Sequence, residues 1–532
     1  MKLELDLGNP SYTLLHRAGL AGLYMSVKQL KKENVKPPPE LQVEWILTEK
    51  HLTHRRVILE WQGQDFQFLN WLLKESFRIS NENLIELRGL NSKTMRIDAQ
   101  VIVHLGMLGT FLQHTSTHKS LGTETKVFEL EPDTKPLQVT YKALSSYVHQ
   151  GFAKNLCDDK GNLLKTPISV AGWLNPGAVV RHIAFTSSTS FEELPEDALA
   201  LLFAPVACYY FLLRSKLRAK RSQYALIIPE VKNLEKYTSY RTGNLREVSY
   251  KDFFASGLGD AGLRFLTYEE TTEIAEAFDI ERCQVLTLGT VAWASQQKTR
   301  TDLYVVDISA NSTIAKNYQL CKQEFSDRVM PSKDGDGSFV ASSFAREFIC
   351  ENLARKRDWH AGLCDVITSN ELFTKLLYER GGLYTMVKQA KYDERDKLFV
   401  EACHEGIKYT YGKINKYAKK GEDLTARFDR VTIRLRADLN RCKSAEAFRE
   451  FITDFWARAG RLPTLQKHWH ELMLLINNPK DWKKCRDLTL LALASYRRDE
   501  TSTNINLDAS EDSTEVDDNT SNDSGIPLVE DY

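Results

Sequence analysis

No two cysteines in this chain stand closer than fourteen positions. Its nine thiols therefore supply no C-x-x-C zinc or redox motif. An odd, scattered set behind an opening MKLELDLGNP that has no apolar signal core reads as reduced thiols of a cytoplasmic protein. Long hydrophobic runs are missing as well. The longest, Ala198 to Leu213, has sixteen residues and is broken by Pro205, short of the roughly 20 that span a bilayer. Arg214–Arg221 follows it, so the expectation is a buried helix with a basic C-terminal end, and no membrane partner. There is no G-x-S-x-G, no Walker A sequence and no evident carboxylate pair, so no catalytic residue and no cofactor are expected. Gly257-Leu-Gly-Asp-Ala-Gly262 matches G-x-G-x-x-G but lacks a clear preceding strand, and reads as a turn before a helix. Asp334–Ser338 lacks the glycine and glutamate of a calcium loop. His114 and His118 have no third ligand in sight and read as loop histidines, and His468-Trp-His470 as part of a helix face. No metal is expected.

Net charge is absent too: 71 basic and 71 acidic residues cancel over 532 positions. The cancellation hides a segregation. Residues 1–340 are nearly neutral at +1, residues 341–498 carry +10, and residues 499–532 carry eleven acids and no base. The distribution of charge, rather than its sum, speaks about partners.

Apolar periodicity divides the chain in the same way. Leu3, Leu5 and Leu7 alternate with polar residues, as do Val43, Trp45, Leu47 and Val57, Leu59, Trp61, which predicts strands. Tyr224–Pro229, Cys283–Ala294 and Leu303–Ile308 read as further strands, with Ser295–Asp302 as a polar hairpin tip between the last two. Met330–Ser338 is a linker by composition. Beyond it, 3.6-residue periodicity runs through Phe344–Leu353, Leu372–Val387, Leu398–Tyr417, Leu424–Leu439, Ala445–Trp456, Thr464–Ile476 and Trp482–Ala494. The expected class is α+β: a mixed α/β body over residues 1–340, a basic helical bundle over 341–498, and a disordered acidic tail over 499–532.

Three places have the chemistry of nucleic-acid binding. A two-stranded ribbon fits a DNA groove, where Gln pairs with adenine and Arg or Lys with guanine. Gln296, Gln297, Lys298 and Arg300 sit on the predicted hairpin tip, which composition alone describes equally as a solvated turn. The Pro-Gly turn in Gly172–Gly177 makes Asn175 and Arg181 candidates for phosphate or duplex contacts, or an ordinary structural turn. In the bundle, Lys413, Lys416, Lys419 and Lys420 cluster among Tyr409, Tyr411 and Tyr417. Arg427, Arg430, Arg434 and Arg441 recur at intervals of three, four and seven, which puts them on one helical face. Basic surfaces with interleaved aromatics grip nucleic-acid backbones and stack bases; charge runs are also ordinary solvated faces.

Four segments carry a resemblance. Leu14-Leu-His-Arg-Ala-Gly-Leu-Ala-Gly-Leu23, Gly172–His182, Leu202-Phe-Ala-Pro-Val-Ala-Cys208 and Trp293–Arg300 resemble, in this order, the large subunit of type I CRISPR Cascade of the Myxan subtype. The likeness extends to about residue 498 and leaves the acidic tail outside. It implies a non-catalytic subunit that sits at the guide-RNA 5′ end beside the Cascade backbone subunits. Such a subunit reads the protospacer-adjacent motif on target double-stranded DNA and helps open the R-loop. It also implies that the helical part resembles the small subunit and follows the displaced strand. A helicase-nuclease or a transposition adaptor would act downstream. Related systems make their small subunit from an internal start, and Met330 is the candidate here. A nuclease with an unrecognised metal-dependent site, or a protein-only scaffold, are the competing classes.

Overall fold

The leucine alternation at the N-terminus becomes β1 (Lys2–Asp6), with Leu3 and Leu5 buried and their neighbours outward. Thr13 caps α1 (Leu14–Lys32). β2 (Glu44–Ile46) and β3 (Arg56–Gln62) complete an antiparallel sheet in the order β1-β3-β2. Helix α2 (Asp65–Ser76) follows, and its Phe68 stacks on Trp61 at 4.3 Å. The computed structural model describes residues 1–91, 94–176, 191–214, 223–243, 245, 248–267, 280–291, 294–309, 312–332, 337–417 and 423–497. Two units make up the chain: Met1–Ala361 with Lys388–Tyr392, and Gly362–Val387 with Asp393–Tyr532.

The apolar stretch after Val101 is α3 (Ile97–Gly109), followed by a long hairpin of β4 (His118–Phe128) and β5 (Leu137–Tyr147). The run Ala198–Leu213 is not the single buried helix expected. It forms α4 (Pro195–Leu202), a short α5 (Ala204–Ala207) and strand β6 (Tyr209–Leu213), all buried. Pro205, without an N–H, falls at the start of α5 where none is needed. Tyr209–Leu213 then has the aromatic content that suits a strand. Gly19 and Gly22 of α1 lie against this segment so closely that a Cβ would come within 2.0 Å of the Ala200 and Phe203 carbonyl oxygens.

A five-stranded sheet comes next in the chain. It is built from β6, β7 (Gln223–Pro229), β8 (Phe254–Ala255), β9 (Arg282–Val291) and β10 (Ala294–Asp307), in the order β8-β6-β7-β9-β10. Helix α6 (Leu258–Leu266) starts at the G-x-G-x-x-G match. Its glycines serve packing. A Cβ on Gly259 would meet the Cys350 carbonyl at 2.5 Å, and one on Gly262 would meet Val306 at 2.5 Å.

After α7 (Thr313–Glu324), the expected linker is in fact a hairpin: β11 (Arg328–Pro331) pairs with β12 (Ser338–Ala341), and Met330 faces Phe339. Helix α8 (Phe344–Ala354) belongs to the first unit. Its anchor is a buried ionic cluster. Arg346 donates to Asp260 at 2.9 Å and to Asp327 at 3.2 Å. Asp260 also accepts from the Ser256 N–H (2.8 Å), the Ser256 hydroxyl (3.0 Å) and Tyr318 (2.9 Å). Burial alone would raise the Asp260 carboxyl, but Arg346 and Arg264 outweigh it and hold it below its ordinary range. Asp327 has fewer donors, and burial lifts its carboxyl. Asp260 is therefore the anion that Arg346 neutralises.

In the second unit, α9 (Glu394–Lys416), α10 (Leu424–Arg441), α11 (Ala445–Ala459) and α12 (Trp482–Ser495) pack as a bundle. Helix α12 is buried from Cys485 to Ser495, so it is the central helix. Asp393, Asp423 and Ser444 cap the other three. Asp487, inside the bundle, accepts the backbone N–H groups of Gly362 (2.7 Å) and Cys364 (2.8 Å). The α+β class is borne out. All nine cysteines are free and buried. Among the described residues no helix is long and apolar enough to cross a membrane.

Removing Arg346 leaves Asp260 charged inside the first unit. Arg346→Leu should cost about 3–5 kcal/mol in chemical denaturation at neutral pH. The native Asp260 carboxyl is depressed, so its contribution is present above about pH 4 and lost as pH falls through the native value. The deficit of the variant should therefore shrink on acidification. A pH-independent deficit would mean that packing, not charge, dominates.

Candidate nucleic-acid interface

The polar segment Ser295–Asp302 is strand, not tip. β9 and β10 pair through to Val291 opposite Ala294, so the arms of the hairpin are longer than the apolar pattern indicated. β7 pairs with β9 only over Cys283–Thr287. From Leu288 onward β9 and β10 continue as a two-stranded ribbon past that pairing. The register slips twice on the way. Thr287 faces Asp302 but Leu288 faces Arg300, leaving Thr301 surplus. Thr290 faces Lys298 but Val291 faces Ala294, so Ser295, Gln296 and Gln297 fall outside the one-to-one ladder. Bulges of this kind bend a ribbon and re-aim its residues. Gln296, Gln297, Lys298 and Arg300 all fall on the irregular end of an edge strand.

Asn175 lies in the turn expected of it. Its N–H and that of Leu174 reach the Ala171 carbonyl at 3.4 and 2.9 Å, and Asn175 is half-buried. The neighbouring Trp173 packs on His149 (4.9 Å) and edge-on to Phe152 (5.4 Å), which fixes where the turn begins. Arg181 lies outside the described residues, as do Lys419 and Lys420.

On α9, Lys413 and Lys416 are exposed, and Lys413 donates to the Arg458 carbonyl at 2.5 Å. Of the three tyrosines near them, Tyr409 and Tyr417 are exposed. Tyr411 turns inward, where its hydroxyl bonds Thr432 and its ring lies 4.5 Å from Phe428. Lys408, also exposed, extends the row by one turn; its i, i+8 spacing to Lys416 was the signal for it in the sequence. On α10, Arg427, Arg430, Arg434 and Arg441 fall within an arc of about 60° at 100° per residue. Arg430, Arg434 and Arg441 are exposed and Arg427 is half-buried. One acid stands among them: Asp438 lies 3.1 Å from Arg441 and 3.9 Å from Arg434. The opposite side of α10 holds Arg436, which is buried, donates to Asn370 at 2.6 Å and lies over Phe373.

Of the histidines noted in the sequence, His114 lies in a turn and His118 opens β4, while His468 falls between two short helices, Pro463–Lys467 and Trp469–Asn477. His114 accepts the Ser116 N–H of its own turn at 3.2 Å. Burial and then Lys142 hold His118 below the ordinary imidazole range. Sequence reading passed over His104, whose ring takes the Ile85 N–H at 3.0 Å and meets the Lys142 carbonyl at 2.8 Å. Burial lowers its pKa to about 4, so it is a neutral strut.

Comparison with known proteins finds likeness at both ends of the chain. The family model for the DevT N-terminal domain matches residues 4–202, and that for the DevT C-terminal domain matches residues 388–524. The two matched regions lie one toward each end of the chain. A curated relative, the CRISPR-associated protein Cas8a1/Csx13 of Myxococcus xanthus, is 27% identical over 93% of this chain and 88% of its own length. The resemblance to the Myxan-subtype large subunit of type I Cascade is borne out, but its extent is not as expected: the match to residue 524 takes in most of the acidic segment expected to lie outside it.

The two sides of α10 should respond differently to truncation. Arg430→Ala, Arg434→Ala and Arg441→Ala should each leave thermal stability within about 0.5 kcal/mol of the parent. Arg436→Ala, which orphans Asn370 and uncovers Phe373, should cost about 1–3 kcal/mol. Equal losses on both sides would mean that the exposed arginines hold the bundle together.

Proposed function

We propose that the chain is the non-catalytic large subunit of a type I CRISPR Cascade, which recognises the protospacer-adjacent motif on duplex DNA and supports R-loop formation. The observation that carries this reading is the bulged ribbon beyond Thr287, an element of the right width for a groove with Gln, Lys and Arg at its irregular end. Asn175 and Arg181 are second candidates for the duplex. The exposed rows of α9 and α10, with Lys419 and Lys420, serve a different purpose: they hold backbone phosphates, while Tyr409 and Tyr417 offer faces for unpaired bases. Sequence beyond the short motif comes from guide pairing, as RNA-guided complexes delegate it.

In this reading the partners are guide RNA, target double-stranded DNA, and the Cascade backbone and small subunits. A helicase-nuclease or a transposition adaptor acts afterwards. The mixed body meets the guide end and the motif, and the helical part follows the displaced strand. The relative's name, a CRISPR-associated Cas8a1/Csx13, supports membership of such a complex.

Motif reading and backbone holding should separate in the assembled complex. Replacing Gln296, Gln297, Lys298 and Arg300 with Ala should abolish preference between targets with and without the motif, each base pairing so removed taking away about 1–3 kcal/mol of discrimination. Replacing Lys413, Lys416, Arg430 and Arg434 with Ala should weaken all targets alike. Each phosphate of the displaced strand deprived of its cation should also flatten the log–log salt slope by about 0.7. Unchanged discrimination in the first variant would overturn the assignment of the ribbon.

A further inference from the structure

The acidic segment after Arg498 has no place in that division of labour, yet the described chain ends beside one of the two helices that carry the basic rows. Helix α12 ends at Ser495. Tyr496, the next residue, sets its ring edge-on to Tyr411 of α9 at 5.5 Å and to His404 of the same helix at 5.9 Å. Tyr411 in turn bonds Thr432 and packs on Phe428, both of α10. The chain therefore leaves the bundle where α9 and α10 meet, the two helices that carry the exposed Lys408, Lys413, Lys416, Arg430, Arg434 and Arg441. From Asp499 onward the sequence has 34 residues with eleven acids and no base, against a preceding stretch of +10.

We propose that residues 499–532 bind the exposed basic rows of α9 and α10 and compete there with nucleic-acid phosphates. The inference rests on the nucleic-acid reading of that face. Reach is ample: 34 residues extend to at most about 120 Å, whereas the 18-residue α10 is about 27 Å long. The segment is covalently tied to the bundle that carries these rows, so it acts at a local concentration on the order of millimolar. Carboxylates held by individually weak exposed contacts are readily exchanged. A long polyphosphate that engages the whole face displaces them, and a short or stray strand does not. The result is a threshold against nonspecific binding. Competition also has a salt signature. Displacing the acidic segment offsets part of the counterion release on strand binding, so the intact chain has a shallower salt slope than the truncated one.

The test uses the full chain, a chain ending at Arg498, a synthetic peptide of residues 499–532, and a single-stranded oligothymidine. At about 50 mM salt, where charges act over more than 10 Å, truncation should tighten oligothymidine binding at least about fivefold, given a tethered competitor. The two chains should converge near about 0.5 M salt. A labelled peptide should bind the truncated chain directly, be displaced by oligothymidine, and no longer bind when Lys413, Lys416, Arg430 and Arg434 are all Ala. Equal oligothymidine affinities with and without the segment, or a peptide that does not bind the truncated chain, overturn the proposal and leave the nucleic-acid reading standing. Peptide binding without any salt-sensitive oligothymidine binding overturns the nucleic-acid reading itself, and the competition with it.

Discussion

The ion pair between Arg346 and Asp260 organises the first unit. A fully buried carboxylate is costly unless its lone pairs and charge are all met, and here two Ser256 donors, Tyr318 and Arg346 meet them. Satisfying that one anion draws together α6, α7, α8 and the end of the five-stranded sheet. Gly259 and Gly262 are the geometric counterpart, since they let α6 lie against α8 and β10 without intervening side chains. A chain beginning at Met330 would hold Arg346 without either of its carboxylates, because Asp260 and Asp327 precede it. An internal start there would thus release a piece whose first helix bares to solvent an arginine that the intact chain buries against two carboxylates.

The same dependence on distant partners decides which parts of the fold are legible in the sequence. Strands with one buried face, such as Lys2–Asp6 and Arg56–Gln62, announce themselves by alternation. The bundle helices announce themselves by their 3.6-residue spacing. Helix Phe344–Ala354 has the same spacing, so nothing local distinguishes it from the bundle; its partner Asp260 lies 86 residues away. Ser295–Asp302 failed for the opposite reason. Its side chains are polar, which reads as a turn, but a strand is held by backbone hydrogen bonds that any residue supplies. In Ala198–Leu213 burial is complete, and complete burial erases the periodicity that would separate helix from strand.

The four segments behind the family resemblance divide along the same line. Leu14–Leu23 and Leu202–Cys208 belong to one packing contact: α1 glycines set against the Ala200 and Phe203 carbonyls, with α5 beside them. Gly172–His182 and Trp293–Arg300 are of another kind. Trp173 is tied down by His149 and Phe152, but Asn175 is only half-buried, and the ribbon runs on past the strand that pairs with its base. A half-buried turn is less constrained by packing than the buried contact of α1 with α4 and α5.

The candidate site was legible to different depths for a similar reason. Helical spacing alone put the four arginines on one side of α10, because an α-helix turns by a fixed angle whatever surrounds it. The same rule assigned Tyr411 to the neighbourhood of Lys413 without saying that it faces Thr432 and Phe428, since inward and outward depend on the neighbouring helix. On the ribbon the relation is reversed. Residue types suggested the chemistry, while the feature that would aim them, three residues surplus to the ladder, came only from the register of two strands. Electrostatic grip needs only that charges share a face, and a repeat pattern reveals that much. Reading a base edge requires residues set at a defined angle to a groove, and that angle is a property of the pairing, which the sequence carries only indirectly.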